Sequence, residues 1–311
     1  MESIKYIKKV EIKNLWNKYD IEWNLNEDVN IIAGDNGSGK TTILDLIAGT
    51  INGKLEDRVA NMADNVKITF NNDKYITYQK INAIFSHQED LGMTNEELQE
   101  ILAVNIVSTF DQQLQGREIV RKLDKGVNTE LDFQIYLLQV QYLDYQINIG
   151  KQAIKALSSN QTANDVQKSI DFNKNLFLDT IDVLFGPTGK KIDRNKNKLV
   201  FKLGKQVLTP YELSSGEKQL IIVLLTVLIQ EDKFFVSLMD EPETSLHTDW
   251  QEKLIGNLKS LNNNAQIIIA THSPSIVLAG WMDKVFEIPE IITKEFQHKN
   301  GLTVLNQDSQ N

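Results

Sequence analysis

Residues 34–41 read Gly34-Asp35-Asn36-Gly37-Ser38-Gly39-Lys40-Thr41, a complete G-x-x-x-x-G-K-[ST] phosphate loop. The run before it, Val29-Asn30-Ile31-Ile32-Ala33, is strand-like, and the run after it, Thr42-Ile43-Leu44-Asp45-Leu46-Ile47, is helix-like. Strand–loop–helix context separates a nucleotide site from an ordinary Gly-rich turn. Glycines let backbone N–H groups turn inward around phosphate at a helix N-terminus, where the peptide dipoles favour negative charge. Asn36, Gly37, Ser38, Gly39, Lys40, Thr41 and Thr42 form the expected cradle. Lys40 would reach the β- and γ-phosphates, and the Thr41 hydroxyl would ligate Mg²⁺.

The chain has 311 residues, long enough for one elaborated domain. With 41% hydrophobic and 24% charged residues it falls in the ordinary soluble globular class. A formal charge of −9 argues against indiscriminate binding to nucleic acid or anionic membrane. There is no cysteine, which excludes a disulfide framework and any Cys-based zinc site and fits a reducing cytoplasm. The first residues carry no signal-peptide apolar core. The longest apolar neighbourhood, 220–229, is far short of the roughly 20 residues needed to span a bilayer and reads as a buried helix.

Short β-branched runs over 7–12, 21–23, 29–33, 66–70, 75–78 and 81–85, several bounded by Asn/Asp turns, predict hairpins around the nucleotide site. From about 94 to 185 the chain lacks proline and reads as helical. There Leu131, Ile135, Leu138, Tyr142, Tyr145 and Ile149 form a heptad-like stripe. A second apolar line, Phe133, Leu137, Val140 and Ile147, leaves burial and partner contact both open for that helix. A hairpin-like stretch follows Gly186-Pro187-Thr188-Gly189; between Lys190 and Lys205 seven of sixteen residues are Lys or Arg, read by default as a solvated face. The last residues resemble a frayed polar tail.

Phe234-Phe235-Val236-Ser237-Leu238-Met239-Asp240-Glu241 is an apolar strand ending in two acids, the form of a Walker B motif. Strand C-termini are where α/β sheets bind ligands. Asp240 would hold the Mg²⁺ shell and Glu241 would polarise the attacking water.

Leu213-Ser214-Ser215-Gly216-Glu217-Lys218-Gln219 resembles the signature of the ABC-type ATPases, in its non-transporter form. That resemblance implies that Ser214 and Gly216 cap the γ-phosphate held by an opposite subunit. Thr244-Ser245-Leu246-His247 resembles the D-loop, and Ile267–Ser273 resembles the switch strand, with His272 implied as the γ-phosphate or water contact. Gln88 is the implied Q-loop contact to Mg²⁺ and water, with Gln79 nearby. Trp16, Lys18 or Tyr19 in the first hairpin would border adenine.

Three features set the chain apart from transporter subunits: Glu217-Lys218-Gln219 in the signature, His247 ending the D-loop, and a Thr-His-Ser-Pro switch at 271–274. They resemble the OLD-, RecF- and Rad50-like branch, above all the compact "AAA" ATPases of Septu-, PARIS- and retron-type antiphage systems. The 125 positions between Gln88 and Leu213 imply an enlarged helical insertion, too short for SMC-type arms. The implied fold is an α/β P-loop NTPase of ABC-ATPase type, with a mixed central sheet, an antiparallel β subdomain and an inserted helical subdomain. Its expected parts are an N-terminal lobe at 1–93, a helical insertion at 94–185, a C-terminal lobe at 186–300 and a tail at 301–311. About 20 residues follow Glu290, too few for a C-terminal nuclease domain, so an effector would be a separate polypeptide.

The implied function is a slow, cytoplasmic, membrane-free ATPase using ATP and Mg²⁺. It would pair as an ATP-sandwich homodimer, with larger assemblies open, and switch a separate effector in antiphage defence. Two alternatives stand beside it. One is a DNA-repair ATPase that clamps DNA, with contacts at Lys190, Lys191 and Arg194; the other is an ATP-stabilised, non-hydrolysing scaffold for a toxin.

Overall fold

The computed structural model describes residues 3–80, 84–87, 98, 102–107, 124–157, 172–231, 233–299 and 302–305. The chain forms two compact units, one of Met1–Ile106, Phe234–Glu241 and Asn264–Asn311, the other of Val107–Lys233 and Pro242–Asn263. Elements are numbered along the whole chain. The first unit holds β1 (Ile7–Leu15), β2 (Tyr19–Asn24), β3 (Val29–Ala33), α1 (Lys40–Ile51), α2 (Asp57–Ala60), β4 (Asn65–Phe70), β5 (Tyr75–Gln79), β6 (Ile84–His87) and β7 (Ala103–Val107). The second holds α3 (Glu130–Leu157), α4 (Phe172–Phe185), β8 (Lys190–Ile192), β9 (Phe201–Leu203), β10 (Gln206–Leu208), α5 (Ser215–Leu228) and α6 (Thr248–Leu261). Completing the first are β11 (Phe235–Asp240), β12 (Ala265–Thr271), α7 (Pro274–Leu278), β13 (Val285–Glu287), α8 (Ile288–Ile291), β14 (Ile292–Lys299) and β15 (Leu302–Leu305).

Two sheets build the first unit. One runs β13-β3-β12-β11-β7, with β13, β3, β12 and β11 paired in parallel. Its central strands are near-continuous apolar runs, each broken by one buried polar residue (Asn30, Ser237 or Gln266), and Ile31, Ile32, Val236, Leu238, Ile267 and Ile268 are fully buried. Parallel strands covered on both faces need such runs. The other sheet is antiparallel in the order β15-β14-β2-β1-β4-β5-β6. Gln266 of β12, fully buried, joins the two sheets. Its amide accepts from Ile7 N and donates to Ile7 O and Asn26 O, each at 2.8 Å. All of these distances suit full-strength hydrogen bonds, so the polar side chain is buried with its partners supplied.

Three strands depart from the sequence reading. β7 arises inside the stretch 94–185, which was expected to be helical, and edges the five-stranded sheet. β14 and β15 extend the antiparallel sheet through β2, an addition that no expected hairpin included.

In the second unit α3 buries the expected stripe of Leu131, Ile135, Leu138, Tyr142, Tyr145 and Ile149, while Leu137, Val140 and Ile147 face outward. The helix starts at a reciprocal cap: Thr129 N donates to Asp132 Oδ2 at 2.9 Å and Asp132 N to Thr129 Oγ1 at 3.2 Å. Three glutamine amides then stitch α3 to its surroundings along its length. Gln139 donates to the Tyr211 hydroxyl (3.2 Å), Gln146 to Asn197 O (2.7 Å) and Gln152 to Glu231 (3.2 Å). Helix α5 contains most of the 220–229 run and, after a polar first turn, is buried and almost wholly apolar from Leu220 to Leu228, as a buried helix is expected to be. The basic stretch forms the three-stranded sheet β10-β9-β8. Several of its cations are already paired: Lys190 with Glu217, Arg194 with Asp179 and Asp182, and Lys202 with Asp193.

Candidate functional site

In the first unit three adjacent parallel strands, β3, β12 and β11, end at one edge and deliver three chemistries to it. After β3 the chain turns through the Gly-rich loop into α1. Lys40, only 5% exposed, folds back so that its ammonium donates to Gly34 O (2.8 Å) and Asp35 O (3.1 Å) and lies 2.7 Å from His272 Nε2. The neighbouring Thr41 hydroxyl donates to Asp240 Oδ2 at 2.7 Å. β11 ends in an unusual backbone turn. Glu241 takes φ +46, the left-handed region that non-glycine residues avoid, with its N–H fixed to Ala270 O at 2.8 Å. Strain of this kind persists where surrounding bonds impose it, and it concentrates at functional sites. The Glu241 carboxylate thereby comes within 3.2 Å of His272 Nε2.

His272 Nε2 thus faces a donor, the Lys40 ammonium, and an acceptor, the Glu241 carboxylate. A single ring nitrogen cannot satisfy both in one protonation state. Nearby, Asp45 on α1 has its carboxyl pushed above the ordinary range by burial, with the negative charge of Asp240 adding to the effect.

The loop itself is built around absent side chains. Gly39 has φ +104, and a Cβ there would run into the ring of Trp16, which is itself held at φ +54 in the β1–β2 turn. Asn36 and Gly37 form the exposed crest of the loop, and Thr42 is half-buried in the first turn of α1. The buried Ser38 hydroxyl has no hydrogen-bond partner, an orphan that an anion bound in the loop could satisfy. Beside the loop a cavity of about 510 Å³ opens between Trp16, Lys18 and Tyr19 on one side and Ile288, Pro289 and Ile292 on the other. That volume is within the range of small-molecule sites. The second wall escaped the sequence reading. Its only signal is a proline set among isoleucines after the switch strand, which names no chemistry.

The Thr41–Asp240 pair suits a divalent cation. Neighbouring ligands of an octahedral Mg²⁺ at about 2.0–2.1 Å from the metal lie about 2.9 Å apart, close to this pair's separation. Among the described residues no group of three His, Cys, Asp or Glu side chains could hold a metal ion alone, so further ligands would come with a triphosphate and water. Gln88 lies outside the described residues.

Ser214 and Gly216 belong to the second unit. Ser214 caps α5: its hydroxyl accepts from Glu217 N at 3.3 Å, while its own N–H donates to Glu217 Oε2 at 3.0 Å. Gly216 is pressed against the D-loop, where a Cβ would strike the Ser245 carbonyl. The next three residues, all buried, each hold a different element. Glu217 takes the Lys190 ammonium at 2.9 Å, Lys218 pairs with Asp132 at 2.8 Å, and Gln219 donates to Pro242 O at 2.5 Å. The signature therefore joins β8, the start of α3 and the chain after β11.

The profile described as "AAA domain, putative AbiEii toxin, Type IV TA system" matches residues 107–279, more than half of the chain. The Septu protein PtuA of Bacillus thuringiensis is 24% identical over 91% of this chain and 75% of its own length. The retron Vc95 probable ATPase of Vibrio cholerae is 28% identical over 40% of this chain. The match spans only 26% of that retron protein, and only 20% of an uncharacterized Dictyostelium discoideum protein that is 29% identical over half of this chain. Among solved structures, an SMC head bound to the C-terminal winged-helix domain of ScpA aligns over 96% of both chains at 16% identity, with a TM-score of 0.53. The fold is therefore that of an ABC-type P-loop ATPase head. Among the described residues no helix is long and apolar enough to cross a membrane.

Proposed function

From the premise that the chain belongs to the AAA-domain family described as putative AbiEii toxin, type IV toxin–antitoxin system, we propose that it is an ATP-hydrolysing head that switches a separate effector in antiphage defence. The observation that carries this reading is the convergence of Lys40, Thr41, Asp240, Glu241 and His272 at the C-terminal ends of adjacent strands. Lys40 binds the β- and γ-phosphates, Thr41 and Asp240 hold Mg²⁺, and Glu241 orients the attacking water. When bound, the metal would neutralise charge developing between the β- and γ-oxygens. Once Lys40 turns to phosphate, His272 Nε2 is released to donate, either to Glu241 or to a phosphate oxygen. The apposition of Lys40, His272 and Glu241 thus gives the site two hydrogen-bond states that respond to the γ-phosphate.

Trp16 and Lys18 border the base in the same reading, opposite Ile288 and Pro289. Stacking of a base on an aromatic ring contributes about 1–3 kcal/mol. Trp16→Ala is therefore expected to weaken ATP binding by about tenfold to a hundredfold, measured by titration with a fluorescent ATP analogue. Unchanged affinity would remove Trp16 from the base site.

Ser214 and Gly216 complete the active site of a second copy in a two-fold ATP sandwich, the arrangement in which an interface closes on itself. The likeness to PtuA and to a retron ATPase supports the antiphage role and a separate effector. Native mass with and without ATP–Mg²⁺ tests the assembly. The wild type is expected to gain a dimer or larger species with ATP, whereas Ser214→Arg binds ATP as a monomer. A Ser214→Arg chain that still pairs on ATP would count against the sandwich. In the DNA-clamping alternative, Lys190 and Arg194 would have to exchange the carboxylates they now pair with for phosphates, whereas Lys191 is exposed.

A further inference from the structure

We propose that Glu217 and Lys190 are positioning residues that set the donor state of the signature serine. Glu217 holds the Ser214 hydroxyl proton in the isolated chain, and Lys190 cancels the carboxylate's charge so that the γ-phosphate on a second copy can draw that proton away. The inference rests on the sandwich reading above.

A hydroxyl has one proton to donate. Ser214 Oγ lies 3.1 Å from Glu217 Oε2 and at the same time accepts from Glu217 N. With the proton directed at the carboxylate, Oγ offers an approaching phosphate only lone pairs. Pairing through Ser214 therefore requires the hydroxyl to exchange one anionic acceptor for another. At 3.1 Å the bond to Glu217 is longer than a strong charge-assisted one, so a phosphate can compete for the proton and the charge around Glu217 bears on the outcome.

The other carboxylate oxygen carries the bias. Glu217 Oε1 accepts from Lys190 Nζ at 2.9 Å, with the Thr188 hydroxyl at 3.1 Å. The Glu217 side chain is 2% exposed and that of Lys190 18%. Burial raises the Glu217 carboxyl's pKa, but the Lys190 bond and the Ser214 N–H outweigh it and hold the group below its usual range. Glu217 is thus a buried anion immediately behind the residue that must meet a triphosphate. Without Lys190 its uncompensated charge would oppose that approach and grip the hydroxyl more firmly. Lys190 and Thr188 follow α4, so the bias on Ser214 is set by the α4–β8 corner.

The test compares four chains in a Glu241→Gln background, which slows ATP consumption: the parent, Lys190→Met, Glu217→Gln and the double variant. Analytical ultracentrifugation gives the ATP concentration at half-maximal dimerisation, and nucleotide titration of the monomer provides the reference. Lys190→Met is expected to raise that concentration about tenfold, on the order of the repulsion between unit charges several ångströms apart in a partly screened site. Glu217→Gln keeps a cap-compatible amide but removes the anion, and is expected to lower it. The double variant should fall near Glu217→Gln, since Lys190 acts through the charge, and monomer affinity for ATP should stay constant throughout. A purely structural role would make both single variants weaken pairing, and that result overturns the proposal while leaving the sandwich standing. A parent that stays monomeric with ATP would overturn the sandwich and this inference together.

Discussion

Glu241→Gln is expected to bind ATP normally, to hydrolyse it at least about 100-fold more slowly, and to accumulate as the closed assembly. Positioned acid–base groups contribute about 10²–10⁴-fold to a rate, and each factor of ten corresponds to about 1.4 kcal/mol of barrier. The amide is nearly isosteric with the carboxylate. The left-handed turn at residue 241 is fixed by the bond from its N–H to Ala270 O and does not depend on the side-chain charge. The change therefore removes the acceptor for the water proton while preserving the geometry around it. Single-turnover hydrolysis with parallel native mass separates the two effects. Wild-type turnover in the variant would take Glu241 out of the chemistry, and would favour a water-positioning role for His272 alone.

Lys40→Ala is expected to abolish measurable ATP binding. The Lys40 ammonium is buried and now satisfied by two loop carbonyls and a ring nitrogen, all groups that a phosphate can replace at little cost. Deleting it leaves the loop without its one buried cation, while those carbonyls would face the anion directly. A ligand that binds only the folded state adds about 2.7 kcal/mol of stability at a concentration 100 times its Kd. Wild type should therefore show an ATP-dependent rise in Tm, and Lys40→Ala should show none at the same concentration. An equal rise in both would overturn the assignment of the phosphate site.

What could be read in the sequence was the chemistry carried by local runs. Residues 29–47, 234–241 and 267–273 each combine an apolar strand with the functional group at its end, and the structure brings the three ends together. The heptad-like stripe of α3 was legible for the same reason, since burial follows helical spacing. What escaped depended on distant partners. β14 pairs with β2 across more than 270 positions, and nothing within residues 292–299 names that edge. The wall of Ile288 and Pro289 has chemistry only because Trp16 stands opposite. The basic stretch is solvated as its composition suggested, with six of its seven cations exposed, but the carboxylates Asp179, Asp182 and Glu217 that pair with Arg194 and Lys190 lie on other elements and were not legible there. Gln266, an ordinary polar residue in sequence, is a joint between sheets.

The stitching of α3 has a mechanical meaning. Bonded to Lys218 at its start and again at Gln139, Gln146 and Gln152, the helix is held at four points along its length. From Asp132 to Gln152 it runs about 30 Å at 1.5 Å per residue. A displacement of the signature loop would therefore be met at four places along one helix rather than at a single hinge.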